Sequence, residues 1–423
     1  MTLVSESRVW SVPNFRRLWT ASAASSFGSE LSEIALPLLV IVTLSADASQ
    51  VGWLRTAQFL PFLLVTLPIG VLADRWQRQR LPMMVGADLG RCALLASIPV
   101  LVWAGLSDVR PLYLVVFAVG TLTVLYQVAD FALLPSVVRS DQLVDANGKI
   151  SATSSVNEIA GRGLGGLLVQ ALSPAVAVVI NALAHGLSAV CLRRIDAAQL
   201  TSSPEPPVPV TPGSPRRQAL AGLRYAVGNR CIRALLGEAT TYNLFNELFL
   251  LGLLLWMVRD LGLGPAAVGL VFTAGGLGSF LGSWFGSTMT GRFGYGRVLL
   301  VSLVVGNSAP LGTALVNDTA NGALALLCVL FTLIGVGIGI ANVHAVSLRQ
   351  STVPEHLRGQ VNAAYRLISW GVLPVGATAG GLVAEQFGAQ EAMLVGASGV
   401  ALSTLWVALS QVRNLRSIDD ATP

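Results

Sequence analysis

The sequence predicts an all-α, polytopic membrane protein with twelve transmembrane helices in two parallel, pseudo-symmetric six-helix bundles. Three observations lead there. Of 423 residues, 53% are hydrophobic and 12% charged, against roughly 25% charged in the average soluble domain. Apolar runs long enough to cross a bilayer, which takes about 20 residues, recur along the whole chain. The two halves also repeat. A shift of 217 residues carries Glu30-Leu31 onto Glu247-Leu248, Val51-Gly52 onto Val268-Gly269 and Arg75 onto Arg292. A shift of 215 carries Asn147 onto Asn362, Gly161 onto Gly376 and Gly165-Gly166 onto Gly380-Gly381. Internal repeats of this kind typify transporters with a site between the halves.

In chain order the predicted spans are roughly 18–44, 51–73, 81–104, 112–134, 149–171 and 173–194, then 233–258, 264–288, 297–316, 322–345, 361–387 and 389–411. The chain therefore divides into an N-terminal bundle (1–194), a linker (195–232) and a C-terminal bundle with a short tail (233–423). The linker opens on Pro204, Pro206, Pro207, Pro209, Pro212 and Pro215, too proline-rich and too polar to fold. From Gln218 to Leu236 the set Leu220, Leu223, Ala226 and Val227 opposes Arg224, Asn229, Arg230 and Arg233. That pattern fits an amphipathic helix on the membrane surface, or a plain extension of span 7. The apolar run from Leu18 has spanning length and no small-residue cleavage site, so it reads as a retained first helix and not as a signal peptide.

Charge sets the orientation. Of 27 Lys and Arg, 21 fall in one set of alternate connections and 3 (Arg55, Arg110, Arg259) in the other, while Arg91, Arg162 and Arg366 lie within spans. The positive-inside rule then places both termini and the linker in the cytoplasm, with the chain in the cell inner membrane. The net charge of +5 is thus a topology signal and not a nucleic-acid footprint. Cys92, Cys191, Cys231 and Cys328 are scattered, which indicates neither a disulfide framework nor a metal site. His185, His344 and His356 have no ligand spacing. The run Gly275-Gly276-Leu277-Gly278 lacks the following Lys-Ser/Thr of a nucleotide loop, and Gly278, Gly282 and Gly286 have the spacing that lets helices approach closely.

The residues with chemistry to offer are few. Between spans 2 and 3 lies Gly70-Val71-Leu72-Ala73-Asp74-Arg75-Trp76-Gln77-Arg78-Gln79-Arg80, a dense charge cluster at a water boundary. Within span 1, Glu30 and Glu33 lie about 12 and 15 residues in, a rise of ~18–22 Å that brings them near the midplane. Glu247 holds the matching place on span 7. On span 5, Arg162 costs ~2.5–3.5 kcal/mol to insert unless paired, and Glu158 one turn earlier is a ready partner. Asp88 and Arg91 share a face of span 3. Tyr242, Asn243 and Asn246 on span 7 offer polar contacts.

The stretch Gly-x-Leu-Ala-Asp-Arg-x-x-Arg resembles the signature of the major facilitator superfamily, with Gly70, Leu72, Ala73, Asp74, Arg75 and Arg78 on matching positions and Gln77 where the family usually has Gly. Phe27-Gly28, Ile34 to Val40, Phe59-Leu60-Pro61, Gly165-Gly166 and Val353 to Asn362 narrow the likeness to a drug-efflux branch that includes macrolide pumps and the enterobactin exporter. The resemblance implies a cytoplasmic gate at Gly70, Asp74, Arg75 and Arg78, with Asp130 as partner of the basic residues and Arg366 on span 11 contributing. It also implies that spans 1 and 7 line a central cavity, so that Glu30 and Glu247 face each other. One departure stands out: the branch has Gly-Pro-x-x-Gly-Gly on span 5, where this chain has Gly161-Arg162-Gly163-Leu164-Gly165-Gly166. Losing that proline removes a kink.

The expectation is a secondary active exporter working by alternating access, with protons moving inward as a small amphiphilic compound (a drug, antibiotic or siderophore-like metabolite) leaves. A carboxylate in an apolar cavity suits that coupling, and Glu30, Glu33, Glu247, Glu158 and Arg162 are its candidates. Such a protein needs no cofactor or metal, only the proton gradient, the bilayer and its substrate, and a monomer is expected. An importer or a lipid-moving protein of the same fold is the alternative. No nucleophile–base pair points to an enzyme.

Overall fold

The computed structural model describes residues 9–66, 68–69, 79–105, 108–139, 142–200, 215–316, 320–354, 357–417 and 420. They are almost entirely helical: α1 Pro13–Leu38, α2 Ala48–Leu64, α3 Arg80–Trp103, α4 Arg110–Val137, α5 Leu143–Ala171, α6 Pro174–Arg193, α7 Pro215–Gly228, α8 Arg230–Leu255, α9 Pro265–Phe293, α10 Tyr295–Ser308, α11 Ala320–Thr352, α12 Arg358–Gly371, α13 Leu373–Phe387 and α14 Ala389–Ser403. Among the described residues, ten helical segments are long and apolar enough to cross a membrane. Large apolar side chains such as Leu114, Trp284, Leu315 and Leu409 stand exposed on their outer faces, a surface that belongs in lipid. Spans 2 and 5 are the two predicted spans that fall outside the ten. α2 is described over only 17 residues, and α5 carries Asp145, Lys149, Glu158 and Arg162.

The chain groups into two compact units, residues 1–39 with 64–210 and residues 40–63 with 211–423. The segment holding most of α2 thus packs with the C-terminal helices. The backbone carries the repeat too. α1 runs on into a π-helical turn at Leu39–Thr43 and α8 into one at Trp256–Asp260, a 217-residue shift apart. Just beyond, Ala46 N–H donates to Val40 O (3.0 Å), and Leu263 N–H to Met257 O (2.8 Å), again matched pairs. The fifth element differs. α5 is unbroken through 29 residues, as the missing proline predicts, whereas the matching stretch in unit 2 breaks at Val372 into α12 and α13, with Pro374 in the first turn of α13.

The glycine series of α9 does what its spacing predicts. A methyl group on Gly278 would fall on the carbonyl oxygen of Thr332, and one on Gly282 on that of Val336. From the other side, Gly335 and Gly339 of α11 face the carbonyls of Gly275 and Ser279. Because backbone cannot yield as a side chain can, Gly282→Leu is expected to cost more than the ~1–3 kcal/mol of ordinary overpacking. Gly286→Ala is the control, since its nearest neighbour is the Ile340 side chain at 3.2 Å. Thermal melting of the purified protein in detergent checks this: Gly282→Leu should melt well below wild type and Gly286→Ala close to it.

α7 is a helix of its own and not an extension of span 7. It ends at Gly228, and Asn229 starts α8 by accepting from the backbone N–H of Cys231 (3.0 Å) and Ile232 (3.1 Å). Its buried side, Gly222 and Ala226, faces α12, with Gly222 against the Gln360 backbone. Leu220, Leu223 and Val227 remain exposed beside Arg224.

Candidate functional site

In unit 1, three acidic side chains converge on one base. Arg162 Nε donates to Glu30 Oε2 (3.0 Å), and its Nη1 lies 3.3 Å from Glu158 Oε1. Glu33 also acts electrostatically on Arg162. What brings α1 and α5 so close is Gly161, on which a Cβ would sit 2.6 Å from that of Glu30. Gly376 plays the same part in unit 2, with Glu247 Cβ 3.1 Å from the position of a Cβ there. Both helix pairs therefore hold their carboxylate against a glycine one repeat apart.

The bases are supplied differently. Glu247, 5% exposed, receives both its oxygens' bonds from Arg55 Nη2 of α2, each at 3.3 Å. Arg55 also stacks on Phe59 (4.8 Å to the ring centroid) and reaches Gln58 at 3.3 Å. Arg55 counts in the sequence as a residue of a connection, yet it lies in mid-helix and is half of a buried ion pair. Its neighbour Thr56 shares a 2.8 Å hydrogen bond with Thr378.

A second cluster in unit 1 is wholly buried. Arg91 donates to Asp88 and, at 3.0 Å, to Ser25 Oγ, and its guanidinium covers the Tyr126 ring at 4.6 Å. His185 Nδ1 lies 3.2 Å from the same Asp88 oxygen. Asp130, expected to meet Arg75 and Arg78, accepts from Ser22 Oγ at 3.4 Å. Gly70, Asp74, Arg75 and Arg78 lie outside the described residues.

Unit 2 contains a cavity of about 380 Å³ walled by α8, α10, α11 and α12, within the size of small-molecule sites. Tyr242 and Asn243 line it, as does Arg366, but Asn246 is not among the lining residues. Asn243 Nδ2 donates to Ser369 O (2.6 Å). Glu238 and Arg349 complete its charged wall, and neither was singled out from sequence. Glu238 accepts from Asn307 Nδ2 (3.3 Å), which also reaches the hydroxyls of Ser403 and Thr404 at 3.1 Å each. Its signal was a helical stripe: Glu238, Tyr242 and Asn246 recur every four residues.

Comparison with known proteins decides the family. A family described as transmembrane secretion effector matches residues 9–422. The chain belongs to this family. An uncharacterised MFS-type transporter of Mycobacterium tuberculosis is 28% identical, over 86% of this chain and 83% of that one. The multidrug efflux pump Tap of Mycolicibacterium fortuitum is 26% identical over 95% and 96%. The fold matches solved transporters, among them the nucleoside transporter NupG (TM-score 0.72, 13% identity, 94% and 98% covered). A bacterial homologue of the iron transporter ferroportin in its inward-facing state also matches (0.65, 16%, 94% and 98%). The protein is a multi-pass membrane transporter and not an enzyme.

The Glu30 cluster holds more acid than base. Glu247 is paired with Arg55. The unit 2 cavity offers aromatic faces, amides and charges of both signs, which suits a molecule with an apolar body and a polar head.

Proposed function

We propose that this chain exports small amphiphilic compounds by proton-driven alternating access, through twelve spans in two bundles of six with both termini in the cytoplasm of a bacterial cell. The convergence of Glu30, Glu33 and Glu158 on Arg162 carries this reading, supported by full-length similarity to the Tap efflux pump. A proton entering from outside neutralises Glu30, loosens Arg162 and is released on the cytoplasmic side as the substrate leaves outward. Glu247, with Arg55, is the second coupling group. Tyr242 and Asn243 contribute to substrate contact. Gly70, Asp74, Arg75 and Arg78, together with Asp130 and Arg366, form the cytoplasmic gate, and the protein acts as a monomer without a cofactor.

Inside-out vesicles overproducing the protein test this. Energised by respiration, they should accumulate at least one member of a panel of macrolides, cationic dyes and iron chelators, and a protonophore should abolish the accumulation. Depletion of the compound from such vesicles would instead mark an importer. At the gate, Asp74→Asn is expected to slow or abolish flux while the protein still inserts normally, because a carboxylate can latch a helix N-terminus in one state only. Wild-type flux in that variant would reduce the stretch to a topology marker.

A further inference from the structure

Two arginines on the wall of the unit 2 cavity have an unusual setting. Arg349, from the last turn of α11, lies over the Tyr365 ring with its guanidinium carbon 4.1 Å from the centroid. Arg366, from α12, lies over Trp370 at 4.8 Å. Both line the same cavity. Among the described residues neither has a carboxylate within ion-pair distance. Among the described lining residues the one acid, Glu238, is engaged with Asn307 on α10. Arg55, Arg91 and Arg162, by contrast, each have a carboxylate partner.

Two like charges on the wall of one half-open cavity repel. Stacking on an aromatic face offsets part of that repulsion and holds the planar fork in place at the cavity wall. A guanidinium fork held this way matches the geometry of a carboxylate, sulfonate or phosphate ester, which it binds through paired charge-assisted hydrogen bonds. Asn342 and Asn362 line the same cavity and add amide donors, while Ile338, Val346 and Trp370 supply apolar surface.

We propose that Arg349 and Arg366 receive the acidic head group of an anionic amphiphile, whose apolar body lies against Trp370 and the aliphatic wall. This deepens the reading of the protein as an exporter of amphiphiles and rests on it for the identity of the ligand as substrate. It also gives Arg366 a task at the cavity in addition to the expected one at the gate.

A matched set of probes tests the inference on the purified full chain in a neutral detergent, with no gradient and no transport required. 1-Pyrenebutyrate, 1-pyrenebutanol and 1-pyrenebutylamine share one apolar body and differ in head-group charge, and pyrene accepts energy from nearby tryptophan. The butyrate is expected to bind at least about tenfold more tightly than the other two, and Arg349→Gln or Arg366→Gln each to remove most of that preference. Arg366→Lys, which keeps the charge and loses the fork, should fall between. Size-exclusion profiles identify any variant that fails to fold, and Arg366→Lys then carries the test. Equal affinity for the three probes in wild type, or an unchanged preference in both glutamine variants, would overturn the proposal. Displacement of the butyrate by phosphatidylglycerol but not by phosphatidylcholine would assign the arginines to a lipid head group and overturn the substrate reading. Because binding is measured without flux, a missing anion preference beside intact proton-driven efflux refutes this inference alone. Binding as expected without gradient-driven export refutes the functional reading alone.

Discussion

Replacing Arg91 with methionine should destabilise the protein by about 3–5 kcal/mol, the cost of stripping one partner from a buried ion pair. Asp88 is fully buried and Arg91 is 1% exposed. Without the guanidinium, Asp88 keeps, among the described residues, His185 at 3.2 Å, and Ser25 loses its donor at 3.0 Å. The contact of Arg91 with Tyr126 goes as well. Asp88 must then either stay charged in the helix core or take up a proton. The double variant Asp88→Asn/Arg91→Met removes both charges at similar volume and should recover a large part of the loss. Melting curves in detergent distinguish the outcomes: a single variant as stable as wild type would show that the cluster contributes little to folding. A double variant no better than the single would show that packing, and not charge, is what Arg91 supplies.

This cluster also shows what could be read from the chain alone. Asp88 and Arg91 are three residues apart, and Glu158 and Arg162 four, so helical geometry brings each pair together. The internal repeat was equally legible, and it extends to details no composition could reveal, such as the matched π-helical turns after α1 and α8. The α9 glycines announced close helix contact through their spacing. Pairings between distant residues were not legible. Arg55 and Glu247, 192 residues apart, are the clearest case; that Arg162 reaches Glu30 across 132 residues, as well as its local partner Glu158, could be guessed only because so few charges lie within the spans. Nothing local marks such partners, because only tertiary packing chooses them. The cavity wall was half legible. Tyr242 and Asn243 stood out as polar residues in an apolar span. Glu238 was lost among the charges that begin α8, and Arg349 among the basic residues of a connection.

The second large effect is expected at Glu30. Its neighbours Glu33 and Glu158 make the site richer in acid than Arg162 alone can balance, so a neutral Glu30 relieves repulsion and an ionised one strengthens the grip on Arg162. Glutamine fixes the neutral form. Glu30→Gln should therefore behave as a transporter held permanently in its protonated condition. It should still exchange substrate down a concentration gradient, because the helices remain free to move, yet it can no longer take work from protons. Glu247→Gln releases Arg55 instead. The effect there should be milder on coupling, with weaker closure of the contact between α2 and α8 seen as faster substrate leak.

The most direct test is substrate accumulation in inside-out vesicles at a fixed imposed pH gradient, compared for wild type, Glu30→Gln and Glu247→Gln at equal protein levels, with downhill exchange measured in parallel. Wild type should accumulate substrate in proportion to the gradient, and Glu30→Gln should fall to the level of a protonophore-treated control while its exchange persists. Accumulation at the wild-type level in both variants would contradict the account and remove these carboxylates from the coupling mechanism.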